Sequence, residues 1–292
     1  MESKSTTYQF DIIRGIMCFM IFNRHFLNLF ENMLSPNSMY KFIADSQVAL
    51  FYFFVLSGMV CSLSFQKQAV MPKISHFAMK RVLRLLPVVI IAIALGYTIC
   101  STGLLYFKQL MTIQTMSPWA LSLYNFNNSL ILAVKDIFFT MFCGFSYYDA
   151  NFWTISYELY IPILLLIMFR YIYTFRLEKV TLVLIVISVL LLGVQMNSLY
   201  LNSVYILCFF IGSGLALYSN KINISTKKIY ILFVFSLILC FFAPHFFHFR
   251  IGNPLRLIGV IILLFTTYKS DFPIIKVLAK NTLINKLGGG KL

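Results

Sequence analysis

Arg14 and His25 lie eleven residues apart within one apolar run, from Phe10 to Phe30. At about 100° per residue, that separation returns to within about 20° of the same helix face while rising about 16 Å. A single helix would therefore hold a cation near one membrane surface and an imidazole on the same stripe, about half a bilayer deeper. Ionisable groups in a spanning helix are costly and face a cavity, a partner or a pathway. Histidine is also the side chain best matched to accepting and returning a proton near neutral pH. The bland alternative for Arg14 is an interfacial pair with Asp11, one turn earlier, that only sets topology. Arg24, next to His25, points about 100° away.

Three further clusters follow. Phe53-Phe54-Val55-Leu56-Ser57-Gly58 combines a glycine that lets helices approach closely with a hydroxyl that can bond across helices or to its own backbone. Lys80-Arg81-x-x-Arg84-x-x-Pro87 places two guanidinium groups at i and i+3, where they share a face. Such a pair either grips phosphate oxygens or marks the cytoplasmic rim. Trp153-Thr154-Ile155-Ser156-Tyr157-Glu158 sets a carboxylate near the start of an apolar segment, where it needs a partner such as His25 or an arginine.

The elements that must position these residues are helices in a bilayer. Of the 292 residues, 60% are apolar and 11% charged, which excludes an ordinary soluble domain. Runs of about twenty apolar residues place spans near 10–30, 47–65, 82–104, 152–172, 180–195, 203–219, 229–244 and 255–269. The expected fold is all-α, a polytopic transmembrane bundle of about eight to ten membrane helices. No cleavable signal is evident, and the first run reads as a retained span. Cys18, Cys61, Cys100, Cys143, Cys208 and Cys240 fall in apolar segments without metal-ligand spacing, and read as reduced packing residues.

Lys and Arg number 24 against 9 Asp and Glu. The excess sits in short loops rather than in a separate basic stretch, which argues against nucleic-acid binding. Residues 66–81 are basic and 31–46 are not, so the positive-inside bias puts the N-terminus in the cytoplasm. The basic 170–179 segment joins that side only if 105–150 crosses an even number of times, as a re-entrant or hairpin element would.

Taken in order, Arg-x10-His, Phe-Phe-Val-Leu-Ser-Gly, Arg-x-x-Arg and Trp-Thr-x-Ser-x-Glu resemble the acyltransferase 3 family of integral membrane acyltransferases, over about residues 8–285. The resemblance implies a multi-pass inner-membrane enzyme that moves an acyl group, most commonly acetyl, from acetyl-CoA to a hydroxyl of an extracytoplasmic or lipid-linked glycan. O-antigen and exopolysaccharide are acceptors of that class. The implied partners are the lipid bilayer and the envelope glycan; no nucleic acid and no metal are expected.

On that reading Arg14, Lys80, Arg81 and Arg84 meet the phosphates of the donor. His25 acts as general base on the acceptor hydroxyl or as a transient acyl carrier, with Glu158 orienting and charge-stabilising it. Ser57, Gly58, Trp153 and Ser156 shape the acyl or substrate slot, and Ser156 or Tyr157 is an oxyanion donor. The chain reads as one membrane domain over 1–288 with a short Gly/Lys tail, 289–292. It reaches Leu287-Gly288 where family members open a last span, so that span is expected to be missing. Two rival readings stand beside this one: a transporter or flippase using Arg14, His25 and Glu158 as a relay, and an inactive, truncated family member. His245 and His248 read as solvated loop histidines.

Overall fold

The computed structural model describes residues 5–29, 44–68, 70–103, 126–171, 198–242, 249–270 and 272, and among these every regular element is helical. Eight α-helices follow in order: α1 Ser5–Leu29, α2 Ser46–Gln66, α3 Ile74–Ser101, α4 Leu130–Cys143, α5 Trp153–Tyr171, α6 Ser198–Tyr218, α7 Thr226–Phe241 and α8 Phe249–Lys269. Five of them contain segments long and apolar enough to cross a membrane: α2, α3, α5, α6 and α8. The chain is a polytopic helical membrane protein. The expected span at 180–195, the histidines 245 and 248, and the tail from 273 onward lie outside the described residues.

One boundary differs instructively from expectation. The apolar span is expected to begin near 82, yet α3 begins at Ile74, so the second half of the basic 66–81 segment is helical and Arg81 shares the helix with Arg84, as their spacing implies. The reason is local. Pro72 favours extended backbone in the residue before it, and Lys73, at φ −60° and ψ 136°, is the extended residue from which the helix starts. From there Ala78, Met79, Lys80, Arg81 and Leu83 are good helix formers. Basic side chains interrupt an apolar run without interrupting a helix.

The chain clusters into two compact units: unit 1 comprises residues 1–25, 39–68 and 172–292, and unit 2 comprises 26–38 and 69–171. Unit 1 is built on the crossing of α2 and α6. A Cβ on Gly58 would collide with the Phe209 carbonyl oxygen, and one on Gly212 would collide with the Val55 carbonyl oxygen. The two helices thus touch backbone to backbone, which only glycine allows. Beside the crossing Ser62 Oγ donates to Ser213 Oγ at 2.8 Å. Phe54 packs on Tyr205 and Phe209 with ring centroids 4.9 and 5.4 Å apart. At the start of α2, Asp45 Oδ1 accepts from the Gln47 amide while Oδ2 accepts from Arg256 Nε at 2.9 Å and Nη2 at 2.7 Å. Arg256 Nη1 reaches Asn253 Oδ1 at 2.6 Å, completing a clamp between α2 and α8.

Unit 2 packs differently. Only Val89 and Ile93 of α3 are buried, and they meet Ala133 and Met141 of α4 together with Tyr148 and Phe152. With fourteen residues, α4 is about 21 Å long, short of the roughly 30 Å of a bilayer core. It starts at the C-terminal end of α3, where Asn128 Nδ2 donates to Ser101 Oγ at 2.9 Å. Gly144 ends it at φ +65°, the left-handed conformation that favours glycine after a helix. The chain then doubles back, and Asp136, buried in the middle of α4, gathers it. Its Oδ2 accepts from Ser146 Oγ at 2.7 Å and from the amides of Tyr147 and Tyr148 at 3.0 and 3.4 Å, and its Oδ1 accepts from Thr140 Oγ1 at 3.3 Å. From there α5 packs against α3, and Arg170 Nη1 donates to the Pro72 carbonyl at 3.4 Å. Within unit 2 the basic ends at residues 72 and 170 therefore lie together.

Candidate active site

Unit 1 carries Arg14, His25, Ser57 and Gly58. Both Asp11 and Arg14 are half-buried on α1, and Arg14 Nη1 is 3.0 Å from Asp11 Oδ1. The pair is the one its i, i+3 spacing offers. His25 is half-buried about one turn before the end of α1 at Leu29. Ser57 is half-buried on α2, one residue from the glycine at the α2–α6 crossing. The space that Gly58 leaves open is filled by the backbone of Phe209. That is the close-approach use of a membrane glycine that the sequence also offered.

Unit 2 carries Lys80, Arg81, Arg84, Trp153, Ser156 and Glu158, and it separates the basic motif into two kinds of cation. Lys80 and Arg84 are exposed. Arg81, with 13% of its side chain exposed, turns to α5: Nη1 is 3.7 Å from Glu158 Oε2 and donates to the Glu158 backbone carbonyl at 2.7 Å. The guanidinium also lies 5.2 Å from the Phe77 ring centroid, a cation–π distance. Of the partners expected for Glu158, His25 or an arginine, unit 2 itself supplies the arginine.

The fourth motif is anchored by its surroundings. Ser156 Oγ donates to the Trp153 carbonyl at 2.9 Å, and it fills the space a side chain on Gly144 would need, 2.6 Å from that ideal Cβ. Trp153 and Tyr157 meet edge to face at 5.8 Å. Upstream, Ser146 Oγ accepts from the Asp149 amide and Asp149 Oδ1 accepts from the Asn151 amide, so a run of side-chain-capped turns carries the chain from Asp136 to the first residue of α5. The Tyr148 hydroxyl is shared between Asn128 Oδ1 at 2.8 Å and the Ser129 carbonyl at 3.2 Å, and burial pushes its phenol above the ordinary range. It stays neutral and donates.

Asp136 in unit 2 and Asp45 in unit 1 each organise the chain around them without belonging to any of the four sequence motifs. Arg256, two residues into an expected span, carried the signal of an ionisable group inside an apolar run. Gly212, in Gly212-Ser213-Gly214, carried the small-residue signal of a helix interface. No group of three or more His, Cys, Asp and Glu is arranged to hold a metal among the described residues.

Among known families, the acyltransferase 3 family, described as an acyltransferase domain, matches residues 7–288. No curated protein and no solved structure matches the chain.

Proposed function

Because the chain belongs to the acyltransferase 3 family, we propose that it is a membrane acyltransferase moving acetyl from acetyl-CoA to a hydroxyl of an extracytoplasmic or lipid-linked envelope glycan. The observation that carries the reading is the family match across residues 7–288, within which all four motifs fall. Thioester donor and hydroxyl acceptor require three things of the protein: cations for the donor phosphates, a group to take the hydroxyl proton, and control of charge as the tetrahedral intermediate forms.

Lys80 and Arg84, exposed on α3, and Arg14 on α1 are the cations proposed for the phosphates. A phosphate is too highly charged to leave the aqueous rim, while the pantetheine arm of the donor is long and only weakly polar. His25 is proposed to take the acceptor proton as general base, or to carry the acyl group itself before passing it on. Glu158 is the second titratable group of the reaction, a carboxylate near the start of an apolar helix. Ser57, Trp153 and Ser156 are proposed to shape the acyl slot. The N-terminus is proposed to face the cytoplasm of an inner membrane, as the basic 66–81 segment favours.

The test is transfer of radiolabelled acetyl from acetyl-CoA into envelope glycan by membranes carrying this chain, with His25→Ala beside it. Label that enters glycan and is lost with His25 supports the enzyme. Flux of a glycan or acyl species without consumption of thioester identifies a transporter instead. Neither activity, from a stably inserted chain, refutes the acetyl-CoA reading.

A further inference from the structure

α5 runs without a break from Trp153 to Tyr171 with Pro162 inside it. In an α-helix the carbonyl of residue 158 accepts from the amide of residue 162, and proline has no amide hydrogen to give. The carbonyl that Pro162 deprives is thus that of Glu158, the residue whose carboxylate the site depends on. A bare carbonyl in an apolar setting is costly, and Pro162 is buried. Arg81 Nη1 takes up this oxygen at 2.7 Å, closer than its 3.7 Å approach to the carboxylate of the same residue.

We infer that Arg81 is a positioning residue for Glu158, coupled to Pro162: the proline frees a backbone carbonyl, and Arg81 fills the gap while facing the carboxylate. The inference rests on the acyltransferase reading for its functional consequence and on α3–α5 geometry for its structural one. A guanidinium suits the task because its several N–H donors are fixed in one plane, so one group can address a carbonyl and a carboxylate of a single residue. The Phe77 ring, 5.2 Å from Cζ, borders it from its own helix. The Arg81-x-x-Arg84 motif is thereby divided: Arg84 is left exposed for the donor, and Arg81 fixes the height and direction of Glu158 on α5.

The experiment is a double-mutant cycle on the purified full chain in phospholipid nanodiscs, with Arg81→Ala, Pro162→Ala and the two combined, read by reversible unfolding and by acetyl-transfer kinetics. The Pro162→Ala substitution restores the missing amide, so a backbone N–H stands in for Arg81 at the carbonyl. Arg81→Ala is expected to lower the folded-to-unfolded ratio about tenfold with Pro162 present, and by less than about threefold in the Pro162→Ala background. In transfer, Arg81→Ala is expected to lower kcat about tenfold or more with the KM for acetyl-CoA within about twofold of wild type, whereas Arg84→Ala raises that KM. Equal stability costs in both backgrounds, or a raised donor KM at unchanged kcat for Arg81→Ala, would overturn the inference. Should Arg81→Ala fail to insert, Arg81→Gln keeps a donor for the carbonyl but no charge, and is expected to retain most of the stability. If the wild-type chain transfers no acetyl, the acyltransferase reading fails, while the unfolding cycle still decides the pairing of Arg81 with Pro162.

Discussion

The helices α2 and α3 follow one another in sequence and are similarly apolar, yet they are stabilised in opposite ways. In α2, 67% of the apolar window is buried, against 11% in α3. Unit 1 gains its order from backbone contact: two glycines let α2 and α6 meet, a serine pair bonds beside the crossing, and an ion pair clamps the start of α2 to α8. Unit 2 gains its order from polar stitching: Asp136 collects a returning loop, Ser146 and Asp149 cap successive turns, and Arg81 joins α3 to α5. Lipid is as apolar as leucine, so burial of apolar surface does not drive helices together in a bilayer. What remains is close packing and hydrogen bonding: unit 1 combines backbone-to-backbone contact with polar links, whereas unit 2 rests mainly on polar links.

The contrast can be broken at chosen points, and reversible unfolding in mixed micelles reads each of them. The largest effect is expected at the clamp. Arg256→Ala leaves Asp45 charged and largely enclosed, and should cost about 3–5 kcal/mol, the range for breaking one side of a buried pair; a cost under about 1 kcal/mol would show the clamp to be idle. Next is the crossing. Gly212→Ala pushes a methyl into the Val55 carbonyl and should cost about 3 kcal/mol, the upper part of the overpacking range. Because the clash is with backbone, no side-chain rotation relieves it, and a silent Gly212→Ala would deny the close contact.

Asp136→Ala in unit 2 should cost about 2 kcal/mol, by removing the acceptor of the Ser146 hydroxyl and of the Tyr147 amide, while the Tyr148 amide keeps Ser146 Oγ at 3.2 Å. Its signature is faster hydrogen exchange at the Tyr147 amide, and unchanged exchange there would break the stitching account. The smallest effect is expected on the exposed face of α3, where Ile91→Ala and Leu95→Ala should each lie within about 0.5 kcal/mol of wild type. A large loss at either would show that this face has a protein partner rather than lipid.

How much of this was legible in the sequence follows from which forces act over which distance. Composition and the lengths of apolar runs imply an all-helical membrane protein, because hydropathy and local spacing belong to the chain itself, and the order of four short motifs carries the resemblance that the family match over residues 7–288 bears out. The Asp11–Arg14 pair was legible for the same reason, being set by one turn of helix. The start of α3 precedes the apolar run that begins near 82, because apolar runs mark bilayer contact whereas helices continue through basic residues. What only the tertiary structure decided is who meets whom: Gly58 against Phe209 and Gly212 against Val55, Arg256 on Asp45 across 211 positions, and Arg81 on Glu158. Each depends on two helices arriving at one height with one rotation. A single sequence specifies the spacing within each helix but leaves that relative height and rotation to the packing of all of them.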